Sequence, residues 1–383
     1  MTSLTLTSAS GRFEAARALD FLPAGHRSRA LHGHGFHASV CAALPSGWAP
    51  FPGAEVDALR QQLEQVLAPL NYAHLNPLIE APTDENIARW IHARLDVPGL
   101  DRVCVQSTAD QGVELDRDGQ LHVWRRYRFS AAHRLPHVPA GHKCGRMHGH
   151  GFEVVLQIKP KASASDGVAI NGLPDDALDA AWAPLQGELD HRCLNDIDGL
   201  ANPTSEAISA WLWARLQPVL PELVWVTVFE TASCGANFDG ETYRIWKDFT
   251  LDSATQLKHA PPLAPQSALH GHTYTLRLHL SAPLDTVLGW TVDFGDVKAI
   301  FDPIFKALDH RPLHEMAELA DADTASVAAW IYHRTRRELP QLVRVDLYES
   351  ERCGAIVANA PVGADGSPTD PTGVDFRSPA LPA

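Results

Sequence analysis

The 383-residue chain has no run of about 18 apolar residues, so no membrane-spanning helix is expected. It has no basic excess either: 32 Lys and Arg stand against 46 Asp and Glu, a formal net charge of -14. That balance argues against nucleic acid or an anionic membrane as partner. It leaves room for local Lys and Arg to line a pocket for an anionic small molecule. Clustered cysteines are missing. The six, at 41, 104, 144, 193, 234 and 353, lie far apart, which reads as reduced thiols in a cytoplasmic protein and not as a disulfide framework. The opening stretch, Met1 to Gly11, has no basic segment followed by an apolar core, so no secretory signal is expected. What the chain does have is 45% apolar and 20% charged residues, the balance of a globular protein long enough for two or three domains, and 20 histidines.

Those histidines fall into a pattern. His-Gly-His occurs at 32–34, 148–150 and 270–272, at intervals of about 120 residues, which points to an internal repeat. Other landmarks keep the same offsets: Asn71-Tyr72, Asp190-His191 and Asp309-His310; then a capped helix start at Thr83, Thr204 and Thr324; then Trp90, Trp211 and Trp330 in an amphipathic run; then an apolar run ending near Gln106, Glu230 and Glu349. Each module reads as strand, strand, helix, helix, strand, strand. In the middle copy, 121–133 and 150–159 alternate as half-buried strands, 175–188 reads as one helix, and 204–216 as the next, with Glu206 in its first turn. One such four-stranded sheet leaves its edges open, and three joined edge to edge could close a barrel. The expected divisions are 1–118, 119–246 and 247–360. The stretch 361–383, rich in Pro, Gly, Asp and Ser, reads as a disordered tail.

The middle module carries the densest chemistry. His148 and His150 are two apart and share one strand face, and His133 ends the preceding strand. Three imidazoles form a zinc-ligand set that leaves a fourth position open; the plain alternative is a His-rich loop without metal. Cys144 lies between Lys143 and Arg146, a setting expected to lower its thiol pKa, unless it is a buried inert thiol or a fourth ligand. Asp190-His191 and Asp309-His310 each could be an oriented general base, or a capping Asp beside a surface His. Glu230, ending an apolar strand, could accept two hydrogen bonds from an amino-pyrimidinone ring, or be an edge charge.

Phe129-Ser-Ala-Ala-His133, Cys144-x-x-x-His148-Gly-His150, Leu189-Asp-His191, Pro203-Thr-Ser-Glu206 and Phe229-Glu230-Thr231 together resemble 6-carboxytetrahydropterin synthase, a relative of 6-pyruvoyltetrahydropterin synthase. The likeness is close over 120–245 and weaker in the flanking modules. The three residues between Cys144 and His148 resemble the carboxy-forming group. The resemblance implies an α+β tunnelling fold (T-fold), with three tandem ββααββ modules forming a pseudo-trimeric antiparallel barrel with helices outside. It implies Zn2+ on His133, His148 and His150, Cys144 as thiolate base, an Asp-His pair moving a second proton, and Glu230 (Glu349 in copy three) holding the pterin. Lys143, Arg146 and Arg192 are candidates for the triphosphate. The implied reaction is a lyase step on 7,8-dihydroneopterin triphosphate, giving 6-carboxytetrahydropterin, acetaldehyde and triphosphate on the route to queuosine. The alternatives are a pyruvoyl-forming or folate-pathway pterin enzyme and a non-catalytic pterin-binding protein.

The flanking copies have lost parts of the set. Copy one has Arg17 for His133, Ser28 for Cys144, Asn71-Tyr72 for Asp-His and Gln106 for Glu230. Copy three has Thr255 and Gln266 for the first ligand and the thiol, but keeps His270, His272, Asp309-His310, Glu349 and a family-like Val292-Asp293-Phe294, whose middle-copy counterpart falls near Ile170-Asn171. In the family the Asp-His pair comes from an adjacent subunit. One live site is therefore expected at the seam of copies two and three, with Asp309-His310 serving Cys144; Asp190-His191 within the middle module is the competing pair. Two such chains are expected to stack as a homodimer.

Overall fold

A computed structural model describes residues 3–160, 173–285, 287–319 and 321–359. Each third of the chain repeats one order of elements. The first runs β1 (Ser3–Arg17), β2 (His32–Ala42), α1 (Glu55–Leu67), β3 (Ala73–His74), α2 (Asp84–His92), β4 (Leu100–Thr108) and β5 (Gln111–Asp116). The second runs β6 (Leu121–His133), β7 (His148–Ile158), α3 (Pro174–Leu189), β8 (Arg192–Cys193), α4 (Ser205–Leu216), β9 (Leu223–Thr231) and β10 (Cys234–Phe238). The third has β11 (Tyr243–Thr255), β12 (His270–Ser281), α5 (Phe294–Leu308), α6 (Thr324–Glu338), β13 (Leu342–Ser350) and β14 (Cys353–Asn359). The helix expected over 175–188 is α3. The one expected over 204–216 is α4, with the Thr204 side chain capping it by accepting from the Ala207 N–H.

Twelve long strands close one antiparallel barrel, four from each repeat, with the helices outside; this is the tunnelling fold. The repeats join where β5 pairs β6, where β10 pairs β11, and where β14 returns to β1 with Ser3 opposite Asn359. Among the described residues closure pairs each of the twelve long strands on both sides, which a single repeat could not achieve. The two-residue strands β3 and β8 add to β1 and β6 in parallel, and a bridge from Ala254 to Pro312 does the same in the third repeat. No helix among the described residues is long and apolar enough to cross a membrane.

Alternation along each strand divides the two faces. On β6, Val123, Phe129 and Ala131 join the core beneath Leu178, Trp182 and Leu185 of α3, whereas Trp124 packs with Val155, Phe229 and Trp246 on the other face. Tyr127 stacks on Trp182 at 4.7 Å between ring centroids. The apolar layers of repeats one and two form one continuous core, and the third repeat has its own. Buried ion pairs occupy other sheet positions: Arg277 reaches Asp248 at 2.6 Å and Arg344 reaches Asp346 at 2.5 Å.

Candidate metal centre and its seam

The end of β6 pairs with the start of β7, His133 opposite His148 and Ala131 opposite His150. The pleat therefore puts three imidazoles on one face. One ligand nitrogen from each lies within 4.8 Å of the others, and ring centroids are 4.5 Å (His133–His148) and 5.1 Å (His133–His150) apart. Each ring is held from behind: Nδ1 of His133 by the Pro203 carbonyl at 3.2 Å, of His148 by the Arg146 carbonyl at 2.8 Å, of His150 by the Gly151 carbonyl at 3.0 Å. A carbonyl only accepts, so Nδ1 carries the hydrogen in each neutral ring and Nε2 is left as a bare lone pair. Nε2 of His133 and of His150 then face each other at 3.2 Å with no proton between them. Two lone pairs at that distance repel, and a shared cation removes the repulsion. The chemistry of the donor set thus fits a metal ion. Burial, followed by the neighbouring imidazoles, outweighs the Pro203 carbonyl and lowers the His133 pKa to about 4, which keeps it a neutral ligand at ordinary pH.

Cys144 sits in a one-turn 3-10 segment, Lys143–Gly145, with its N–H on Nδ1 of His142 at 3.2 Å. It is not part of the three-imidazole cluster. Its thiol pKa is raised, against the sequence expectation: partial burial comes first, then the Glu230 carboxylate, and Lys143 offsets them incompletely while Asp293 adds to them. Sequence neighbours suggested two cations, but Lys143 and Arg146 are exposed, and the fold brings in two carboxylates from distant segments. Arg192 is exposed as well.

Glu230 accepts from Ser205 Oγ at 2.9 Å. Behind it lies Glu206, 2% exposed, whose pKa burial pushes up to about 7. In the sequence Glu206 stands out as a first-turn charge and as the end of the Pro203-Thr-Ser-Glu206 motif. In the fold it accepts from the Thr291 N–H at 2.8 Å, a residue of the third repeat. Thr204 donates to the Gly289 carbonyl at 2.6 Å and Asn202 to the Leu288 carbonyl at 2.8 Å. Gly289 has φ +76, and a Cβ there would come within 2.5 Å of the Asn202 side chain. Asp293 caps α5 and points Oδ2 at His142 Nε2 from 3.8 Å. Asp293 therefore faces the site of the middle repeat, while its neighbours Val292 and Phe294 pack on the core of the third repeat. In the middle repeat the corresponding cap position is Leu173; Ile170-Asn171 lie outside the described residues.

The Asp-His pairs stand elsewhere. Asp190 accepts from the Ser130 N–H at 2.8 Å and lies 3.0 Å from His191 Nδ1; Asp309 accepts from Asp252 N–H at 3.1 Å and lies 2.8 Å from His310 Nδ1. The His191 and His310 side chains are 82% and 76% exposed, and neither pair is among the charges acting on Cys144. Both histidines have φ near +55, but so does Tyr72 in the copy without an Asp-His pair. That strain thus belongs to the connection, whose N–H donates at 2.6 Å to a strand carbonyl in every copy.

Where the middle repeat has its histidine triad, the first repeat has an internal ion pair. Arg17 Nη1 donates to the Pro82 carbonyl at 3.0 Å, the place His133 Nδ1 holds on Pro203, and to Asp84 at 2.6 Å. Strand register corrects one correspondence. Gln106 lies opposite His37 as Phe229 lies opposite Glu153, so Ser107, not Gln106, stands at the position of Glu230. In the third repeat Thr255 donates to the Ala322 carbonyl, and Glu349 accepts from Thr324.

A family model described as 6-pyruvoyl tetrahydropterin synthase matches residues 7–117, 122–241 and 244–360. A 6-carboxy-5,6,7,8-tetrahydropterin synthase from Synechocystis sp. is 38% identical over 119 residues, 30% of this chain and 91% of that protein. A dihydroneopterin monophosphate aldolase from Pyrococcus furiosus is 32% identical over 99 residues, 25% of this chain and 83% of that protein. The solved 6-pyruvoyl tetrahydropterin synthase of Caenorhabditis elegans is 18% identical, covers 31% of this chain and 95% of its own, and has a TM-score of 0.27.

Proposed function

The chain belongs to the 6-pyruvoyl tetrahydropterin synthase family, and on that premise we propose that its middle repeat is a zinc-dependent lyase of the 6-carboxytetrahydropterin synthase type. Its substrates are 7,8-dihydroneopterin triphosphate and one water, its products 6-carboxytetrahydropterin, acetaldehyde and triphosphate, and its place is the queuosine route. The observation that carries the metal is the pair of bare Nε2 atoms 3.2 Å apart. The name of the Synechocystis relative supports the carboxy-forming reaction.

His133, His148 and His150 would hold zinc, which would supply Lewis acidity toward the substrate side chain. The chain's own groups do the rest. Glu230, steadied by Ser205, accepts the ring N–H donors. Cys144 takes a proton from the side-chain carbon. Before it can, it must lose its own, against the carboxylates of Glu230 and Asp293; a hydrogen-bonded ring on Glu230 spreads that charge and favours the thiolate. Glu206 holds the Thr291 backbone and with it the third-repeat wall of the site.

An Asp-His pair moves the second proton, and both pairs stand exposed. A second chain stacked on that end of the barrel, as a homodimer, would cover them and bring one toward a metal centre. Six free cysteines suit a cytoplasmic protein. The dihydroneopterin monophosphate aldolase relative favours a second reading, carbon–carbon cleavage of a dihydroneopterin phosphate to a hydroxymethyldihydropterin and a phosphorylated two-carbon hydroxyaldehyde. Purified protein incubated with dihydroneopterin triphosphate and, separately, with the monophosphate separates them: acetaldehyde with free triphosphate supports the lyase, a phosphorylated hydroxyaldehyde the aldolase, and no turnover of either by zinc-loaded protein defeats both. Replacing His191 and His310 singly by Ala identifies the working pair; loss with His191→Ala alone removes Asp309-His310 from the reaction.

A further inference from the structure

The turn that carries Cys144 is held through one imidazole. The Cys144 N–H donates to Nδ1 of His142 at 3.2 Å. A ring nitrogen that accepts is bare, so the hydrogen of the neutral ring stands on Nε2. Nε2 faces Oδ2 of Asp293, from the third repeat, at 3.8 Å. Trp290, in the same third-repeat segment, lies beside the imidazole with ring centroids 6.2 Å apart.

Asp293 is a fixed point. Its Oδ1 caps α5, accepting from the Gly295 N–H at 2.6 Å and the Asp296 N–H at 3.2 Å. The backbone just before it is bound to the start of α4 through Glu206 and Thr204. One carboxylate oxygen thus holds the helix, and the other is left for His142.

The arrangement recurs at the seam of the first and second repeats. The Ser28 N–H donates to Nδ1 of His26 at 3.2 Å, and His26 Nε2 lies 3.5 Å from Asp176 in the first turn of α3. Asp176 also caps its helix, accepting from the Leu173 N–H at 3.2 Å. At the seam of the third and first repeats Ala264 stands at the histidine position, and Gln266 reaches Asp57 of α1 directly at 2.5 Å. A histidine between a turn and a helix-start carboxylate is therefore a latch of the barrel seams. Only in the middle repeat does the latched residue carry a thiol at a metal centre. A displacement of about 1 Å in a reacting group can cost roughly a hundredfold in rate, so there the latch bears on chemistry.

We propose that His142 and Asp293 are positioning residues for Cys144. Asp293 holds the imidazole from across the seam, and the imidazole holds the turn that aims the thiol. The role rests on the reading of Cys144 as the group that takes a proton from the substrate. It makes the middle site depend on the third repeat for the placement of its thiol.

The test uses full-length, zinc-loaded protein and two readouts. One is carboxymethylation of Cys144, followed by peptide mass spectrometry, which needs no substrate; the other is steady-state turnover of dihydroneopterin triphosphate. In His142→Ala the freed turn should expose the thiol, and alkylation should quicken at least about threefold. Its kcat should fall roughly ten- to a hundredfold, with KM and zinc content unchanged. His142→Asn keeps an acceptor for the Cys144 N–H, as an Asx turn does, and should recover most of the loss. Asp293→Asn should slow turnover even though it relieves the charge on the thiol, and should slow it no further in the His142→Ala background. His26→Ala opens the matching latch at the other seam and should leave turnover as it was.

Melting curves check the fold of each variant; should His142→Ala fail to fold, Asp293→Asn is read by the same two measurements. Alkylation of Cys144 that is unchanged or slower overturns the proposal. So does loss of zinc in His142→Ala, or equal slowing by His26→Ala. Failure of His142→Asn to recover overturns it too, since His142 would then carry a proton itself. Faster alkylation in a protein whose wild type turns over no pterin leaves the latch standing and defeats the reaction proposed above.

Discussion

Ser107 donates its hydroxyl hydrogen to Asp84 at 2.6 Å, and this pair inverts the one formed by Ser205 and Glu230 at 2.9 Å in the next repeat. The positions correspond, helix start against strand end, but acid and hydroxyl have changed places. The third repeat keeps the arrangement of the second, with Thr324 donating to Glu349. Moving the carboxylate to the helix brings it to Arg17, so the first repeat meets its cation internally. The second repeat keeps its carboxylate free for a ligand.

That freedom makes Glu230 a test of ring binding. Glu230→Gln keeps the size and the Ser205 contact but turns a charged acceptor into a neutral one. Pterin affinity at the middle site should fall roughly ten- to a hundredfold, as for other charge-assisted pairs, with metal content unchanged. Unaltered KM in steady-state kinetics would remove Glu230 from ring recognition.

Removing His133 should empty the metal site. Two imidazoles from one strand remain, and they do not make a closed catalytic set, which takes three protein ligands. His133→Ala should take metal content from about one ion per chain to near zero while the barrel still melts cooperatively. Full zinc occupancy by elemental analysis would show that the ion is held elsewhere.

Glu206 gives a pH signature. Its folded pKa, about 7, lies above its ordinary value of 4.5 because burial disfavours the charge. The carboxyl favours the fold while it is protonated there, and that contribution is lost as pH rises from about 4.5 through about 7. Glu206→Gln removes the penalty and can keep the Thr291 contacts. Relative to wild type the variant should gain stability at pH 8 on the order of 3 kcal/mol over its standing at pH 4. Melting curves at the two pH values decide it, and parallel shifts would count against a buried titrating group.

Arg344 and Asp346 test the buried ion pairs. The two side chains share two bonds on one strand, and His279 reaches Asp346 at 3.1 Å. Burial alone would raise the Asp346 carboxyl, but Arg344 and His279 hold it far below its ordinary range. Arg344→Ala leaves the buried carboxylate with His279 alone and should cost about 3–5 kcal/mol in urea unfolding. A loss under about 1 kcal/mol would mean that water reaches the pair.

Much of this protein was legible because its chemistry is periodic. Three His-Gly-His tripeptides exposed the repeat. Two-residue spacing put His148 and His150 on one face, and strand alternation placed His133 at the end of β6, as observed. Local pattern also located α3 and α4 to within a residue or so. The errors came where a neighbour in space differs from a neighbour in sequence. Lys143 and Arg146 suggested an acidified thiol, whereas burial first, and then Glu230 and Asp293 from about 90 and 150 residues away, raise it. Counting along the chain set Gln106 against Glu230, and only the pairing of β2 with β4 corrected it by one residue.

The sequence by itself determined the repeat, the histidine triad and the faces its side chains share, because periods of two and 3.6 residues are properties of a single strand or helix. The tertiary structure alone decided that each site lies at a seam, that Asp293 of the third repeat faces the second, and that Arg17 takes Asp84 as its counter-ion. Closing a barrel sets strand ends against helix starts from another repeat, and no local spacing encodes which charges meet there.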